Sequence, residues 1–97
     1  MYKLEFTASA LDDFGYIKKA EQNFILDNIE ASLRHESLVE TRLRKPLRPN
    51  NLSAWELRVS DFRVFYDVQE DEKVVLIKAV GYKKHNVLYI RGRRFGL

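Results

Sequence analysis

The sequence predicts a single α+β domain over residues 1–97, an antiparallel-rich twisted sheet packed against an N-terminal helical hairpin. Three observations carry that reading. Trp55 to Lys78 alternates apolar and polar residues and is broken by tight turns, the pattern of consecutive β-hairpins. The preceding third of the chain holds one short alternating segment and then two segments with helical spacing. The chain has 97 residues, 45% hydrophobic, with 4 Gly and 2 Pro, which is the composition of one folded globule with a modest core.

The elements follow in order. Tyr2-Lys3-Leu4-Glu5-Phe6-Thr7 alternates and reads as a strand. Thr7 or Ser9 caps the helix that follows, with Asp12 and Asp13 expected near its positive end. Leu11, Phe14 and Ile17 form its apolar stripe, and Gly15 weakens it by about 1 kcal/mol relative to Ala. A second helix is expected from about Lys19 or Ala20 to Arg34, with Ile25 or Leu26, Ile29 and Leu33 on one face. The two helices are close in sequence, so an antiparallel hairpin is their natural arrangement. His35 to Ser53, with Pro46 and Pro49, reads as a polar, basic connector.

Three strands follow, at about Trp55–Val59, Phe62–Gln69 and Lys73–Gly81, and Asn86–Arg91 reads as a further short strand ended by Gly92. If Ser60-Asp61 is a two-residue turn, Val59 pairs with Phe62, Leu57 with Val64 and Trp55 with Tyr66 on one face. Val68, Val75 and Ile77 join them against the helices. Arg58 then stands across from Arg63 on the opposite face, and Glu56 across from Phe65. Like charges directly opposite on paired strands are destabilising, so such a pair splays into water or holds an anion. Phe65 shares this face. Its ring either stacks on a base beside the basic groups, or packs against the Lys78 stem or under the C-terminal segment.

Charge is unevenly distributed behind a net of +3. Residues 1–33 carry three Lys and six acids, and residues 51–72 two Arg and six acids. Residues 34–50 carry five basic residues and two acids, and residues 73–97 seven basic residues and no acid. An acid-free basic end adjoining the Arg pair points to an anionic partner. Cysteine is absent, which excludes disulfides and thiolate metal sites and suits a cytoplasmic setting. Neither a signal peptide nor a membrane span is expected. No phosphate-binding glycine loop or metal-ligand cluster is present, and His35 and His85 are the only histidines. No cofactor or metal is expected.

RNA cleavage needs no histidine, because the attacking group is the RNA's own 2′-hydroxyl and the protein works by positioning and charge stabilisation. Arg58, Arg63, Lys78, Lys83 and Tyr89 form a set suited to that task, with His85 near them in sequence.

The chain resembles the RelE/ParE superfamily, the toxin halves of bacterial type II toxin–antitoxin modules. The resemblance spans nearly the whole length. It begins at Leu4-Glu5-Phe6-Thr7-Ala8-Ser9-Ala10-Leu11 and continues through Leu43-Arg44-Lys45-Pro46-Leu47. It is strongest over Trp55-Glu56-Leu57-Arg58-Val59-Ser60-Asp61-Phe62-Arg63-Val64-Phe65-Tyr66 and ends in Ile77-Lys78-Ala79-Val80-Gly81-Tyr82-Lys83-Lys84-His85. It implies a β-α-α-β-β-β order with a short C-terminal strand or helix. It also implies a cognate antitoxin, with operator DNA reached only through that antitoxin.

The resemblance implies a ribosome-dependent mRNA endoribonuclease, with a gyrase-binding inhibitor or an inactive antitoxin-binding homologue as alternatives. Arg63 matches the central-strand arginine of ribonuclease members, Lys83 a second basic residue and Tyr89 a C-terminal tyrosine. His85 completes the expected catalytic set. Arg58, Lys78, Lys84, Arg91, Arg44 and Lys45 are the expected phosphate-binding residues. Glu56 stands where some members carry Lys.

Overall fold

One long strand, β5 (Val74–Lys84), organises the molecule. The structure, a computed structural model, describes residues 1–96. Before β5 come β1 (Lys3–Phe6), α1 (Ala8–Phe14), α2 (Lys19–Glu36), β2 (Arg44–Pro46), β3 (Trp55–Val59) and β4 (Phe62–Gln69). After it come β6 (Val87–Ile90) and β7 (Arg93–Arg94). The sheet runs β2-β3-β4-β5-β6-β7, and β1 adds to β5 in parallel. β5 holds β4 on one edge. On the other edge it holds β1 along Val74–Ile77 and β6 along Tyr82–Lys84. Between those two partners, Lys78 to Gly81 present an open stretch of edge.

Local chemistry explains the elements. Thr7 caps α1 by accepting from the Ala10 N–H at 3.1 Å. The Gln22 amide donates to the Phe14 and Ile17 carbonyls at 2.7 and 2.8 Å, tying α2 to the turn that ends α1. Ile25, Ile29 and Leu33 recur every four residues and are fully buried, the spacing that keeps one helix face on a core. Ser60 takes φ 55° in the β3–β4 turn. The expected register follows: Val59 faces Phe62, Leu57 faces Val64 and Trp55 faces Tyr66.

The strand reading of the C-terminal segment holds, and an additional two-residue strand extends it. Other expectations need correction. β2 forms inside the segment read as connector, because Arg44–Pro46 pairs with Trp55–Leu57. Asp13 sits in the last turn of α1 rather than near its positive end, and is buried. β5 carries a bulge: Tyr66 pairs with Ile77 but Phe65 pairs with Ala79, leaving Lys78 as the extra residue. The bulge shifts the alternation, so Ile77 and Val80 both reach the helix-side core.

The sheet has two apolar clusters. On the helix side, Leu57, Val64, Tyr66, Val75, Ile77 and Val80 pack with Ala10, Phe14 and the α2 stripe. On the outer side, Phe65, Ala79, Leu88 and Ile90 pack beneath Leu47 and Leu52 of the segment between β2 and β3. Phe65 is fully buried there. The packed reading of its ring holds, and stacking on a base is excluded by burial.

Candidate functional site

The outer face of the sheet gathers cations because β3 and β4 are offset by a two-residue turn. Arg58 and Arg63 are Cα partners, and Glu56 precedes Arg58 by two on the same face. Gly81 faces Arg63 from β5, and Lys83, two residues on, falls on that face as well. Gly81 has no room for a side chain: a Cβ there would stand 2.4 Å from the Tyr89 carbonyl oxygen. β2 brings Lys45 beside Glu56, its Cα partner. The result is a cavity of about 240 Å³ lined by Arg42, Leu43, Lys45, Glu56, Arg58, Arg63, Lys83 and Asn86.

Arg63 is the anchored member. It is 8% exposed, and one terminal nitrogen, Nη1, donates to the Ser60 and Phe62 carbonyls at 3.0 and 2.9 Å. Its Nε and Nη2 make no hydrogen bond to any described residue. Burial pulls the guanidinium below its ordinary value, Glu56 opposes that shift, and Arg58 adds to it. Arginine stays charged throughout. Holding the side chain at one nitrogen fixes its orientation and leaves the other donors available to an anion.

The other expected residues fall into distinct places. Arg58, Arg63, Lys83 and Lys45 share the cavity. Lys83 also borders a second cavity on the helix side, which takes in Lys84. Tyr89 pairs with Tyr82 and stacks on it at 5.3 Å. Tyr82 also pairs with Phe62, so both tyrosines lie on the sheet face opposite Arg63. The structure does not bring Tyr89 to the Arg63 cavity. His85 is exposed in the β5–β6 turn, where it and Asn86 take φ 53° and 63°.

Arg44 is not a free phosphate ligand. It is 8% exposed, faces Leu57 on the helix side, and donates to the Val39 and Ser32 carbonyls, both at 3.0 Å. It braces the segment between α2 and β2. Lys78 pairs with Asp67 at 3.5 Å, and Arg91 pairs with Asp13 at 3.0 Å. Both Lys78 and Arg91 line a larger cavity of about 670 Å³ at the open stretch of β5, with Arg93 and Arg94. Reading the sequence missed Arg42 and Asn86 as lining residues, and missed Asp13 as a group buried against β5. The even phase of Glu56 with Arg58 already put the glutamate on the cationic face.

The chain is a small α+β domain with two N-terminal helices under a sheet and a cationic cavity on the far face. Solved structures agree on the fold. The toxin–antitoxin complex RelBE2 from Mycobacterium tuberculosis superposes with a TM-score of 0.73 at 23% identity, over 84% of this chain and 98% of that one. The archaeal RelE-RelB complex from Pyrococcus horikoshii OT3 gives 0.68 at 19% identity, over 87% and 97%. YafQ from E. coli strain BL21(DE3) gives 0.62 at 15% identity, over 86% and 94%. No curated protein sequence matches. Residues 4–87 match the family model of the ParE toxin of type II toxin–antitoxin systems. The chain belongs to that family and is the toxin component of a type II toxin–antitoxin module. Among the described residues, no helix is long and apolar enough to cross a membrane.

Proposed function

We propose that this toxin is a ribosome-dependent mRNA endoribonuclease that inhibits translation in the bacterial cytoplasm. The observation that carries the reading is the cavity in which Arg42, Lys45, Arg58, Arg63 and Lys83 converge while Arg63 is held by one nitrogen. Five cations around one small volume, offset only by Glu56, leave an excess of positive charge that attracts a further anion. A phosphodiester fits that need, and the free nitrogens of Arg63 would stabilise the charge that develops on the scissile phosphate. Incubating the purified toxin with mRNA-programmed ribosomes and mapping the 5′ ends tests this. Cleavage confined to the decoding site is expected. Intact mRNA, with all components active, would overturn it.

The second reading is inhibition of DNA gyrase without catalysis. The match to the ParE toxin family and the turning of Tyr89 away from Arg63 favour it. Pulse labelling after induction separates the two: early loss of protein synthesis supports cleavage, and early loss of DNA synthesis supports gyrase inhibition.

The partner proposed for either activity is a cognate antitoxin. The solved relatives are complexes with antitoxins in several cases, including RelB and DinJ. An acidic or amphipathic segment laid over Arg63, Lys83 and Arg91 would neutralise charge and block substrate together. Its binding should weaken as salt rises.

A further inference from the structure

We propose that Glu56 is the general base of this site, the group that takes the proton from the RNA 2′-hydroxyl. The inference rests on the ribonuclease reading and adds a catalytic residue to it. Three observations carry it.

Glu56 is the one acidic side chain lining the cavity, against five basic ones. Its side chain is 6% exposed, yet the carboxylate makes no hydrogen bond to any described residue. Its one close partner is Lys45 Nζ, at 3.8 Å, an ion-pair distance too long for a hydrogen bond. A nearly buried carboxylate normally accepts several donors, because burying an unpaired charge is costly. Here the unused acceptor positions face the cavity, so a ligand that brings a hydroxyl donor completes the site. Finally, the spacing suits a phosphate and its neighbouring ribose. Glu56 lies across from Phe65, which makes Arg63 its diagonal neighbour on β4, roughly 7–8 Å away along the backbone. Two side chains of this length reach adjacent atoms across that span.

The step balances as a transesterification. Glu56 takes the 2′-hydroxyl proton, and the 2′-oxygen bonds to the adjacent phosphorus while Arg63 and Arg58 hold its equatorial oxygens. The bond from phosphorus to the 5′-oxygen breaks. The leaving oxygen takes a proton from the Lys83 ammonium. The products are a 2′,3′-cyclic phosphate and a 5′-hydroxyl, and proton exchange through water returns Glu56 and Lys83 to their starting states. Neither an oxidant nor a co-reactant is needed.

Glu56 also serves electrostatics, since its charge offsets Arg58 and Arg63. The test must separate charge from proton transfer. Single-turnover cleavage on programmed ribosomes is measured across pH for the wild type and Glu56→Gln, with ribosome binding measured alongside. The charges facing the carboxylate are Lys45 on β2, Arg58 on β3, Arg63 on β4, Lys83 on β5 and Arg42 before β2.

The wild-type rate should fall at acid pH, as the base is protonated. Glu56→Gln should cut the rate by about 100-fold or more, remove that acid limb, and leave ribosome binding as tight or tighter. Glu56→Gln cleaving at the wild-type rate, or more slowly with the acid limb intact, would overturn the assignment while leaving the ribonuclease reading in place. If the wild type does not cleave, both fall. If Glu56→Gln does not fold, the wild-type profile still decides, since a rate that does not decline toward acid pH excludes a carboxylate base.

Discussion

Two cationic cavities flank the outer apolar cluster, and they use their charges in opposite ways. Around Arg63 the cations outnumber the single acid, and Glu56 is engaged by nothing closer than Lys45 at 3.8 Å. Around Arg91 each oxygen of the acid has a close partner, one by hydrogen bond and one by charge alone. Asp13 is 2% exposed, and one oxygen accepts from the Val80 N–H at 2.9 Å. The other oxygen lies 3.0 Å from Arg91 Nε but off the hydrogen-bonding direction. That pair fills the open stretch of β5 between β1 and β6, where a backbone N–H would otherwise lack a partner. One cavity therefore leaves its acid without a hydrogen bond, and the other uses its acid to close a sheet edge. Counting basic residues does not distinguish them, whereas counting hydrogen bonds does.

The largest expected effect tests the wall between the cavities. Phe65 is fully buried with Ala79, Leu88 and Ile90. Phe65→Ala should cost about 3–5 kcal/mol in denaturant unfolding. Phe65→Leu, which keeps most of the volume, should retain both fold and cleavage. A folded Phe65→Leu that no longer binds programmed ribosomes would mean that the ring contacts RNA and is not buried in the apolar cluster.

Next comes the contrast between the two arginines. Arg63→Ala should fold and lose about 100-fold or more in cleavage, the typical effect of removing one preorganised donor. Full growth arrest from a folded Arg63→Ala protein would remove Arg63 from the mechanism. Arg91→Ala should change cleavage only a few-fold but lower stability, because it strips the ion pair from buried Asp13. Removing one partner of a buried pair costs about 3–5 kcal/mol, and the partial exposure of Arg91 reduces this to about 1–2 kcal/mol. If Arg91→Ala abolished cleavage at unchanged stability, the two cavities would be one functional surface.

Much of this contrast was legible in the sequence. A two-residue turn at Ser60-Asp61 fixes the β3–β4 register, and period 2 then dictates that Arg58 and Arg63 share a face with Glu56. The same rule places Tyr89 beside Tyr82 once the His85-Asn86 turn is known, so its separation from Arg63 depends on a turn that composition only suggests. The bulge at Lys78 was hidden, because an extra residue leaves no mark in an already apolar strand. Asp13 was hidden for a different reason. Its partner is the Val80 N–H, 67 residues away, and a side-chain bond to so distant a backbone group has no local signature. Arg44 was misplaced because β2 went unread. Three residues are too few to show alternation, and their pairing with β3 is what turns Arg44 toward α2.

The smallest expected effect is a pH dependence that belongs to Asp13 alone. Burial raises its carboxyl above the ordinary 3.8, although the Val80 N–H and then Arg91 pull it down. The unfolded chain therefore gives up this proton at lower pH than the folded protein. Between those two values the folded state binds more protons, so stability falls as pH rises. The contribution is fully present below the unfolded value and is lost as pH passes the folded one. Asp13→Asn keeps an oxygen for the Val80 N–H and does not titrate. The stability of the wild type relative to Asp13→Asn should decline as pH rises above 3.8 and level off once Asp13 is ionised. In the Arg91→Ala background, the loss of the neighbouring cation should extend the decline to higher pH. Thermal melts of the four proteins across acid pH measure this. Parallel curves throughout would show that Asp13 titrates as it does in the unfolded chain, and that solvent, not the edge of β5, surrounds it.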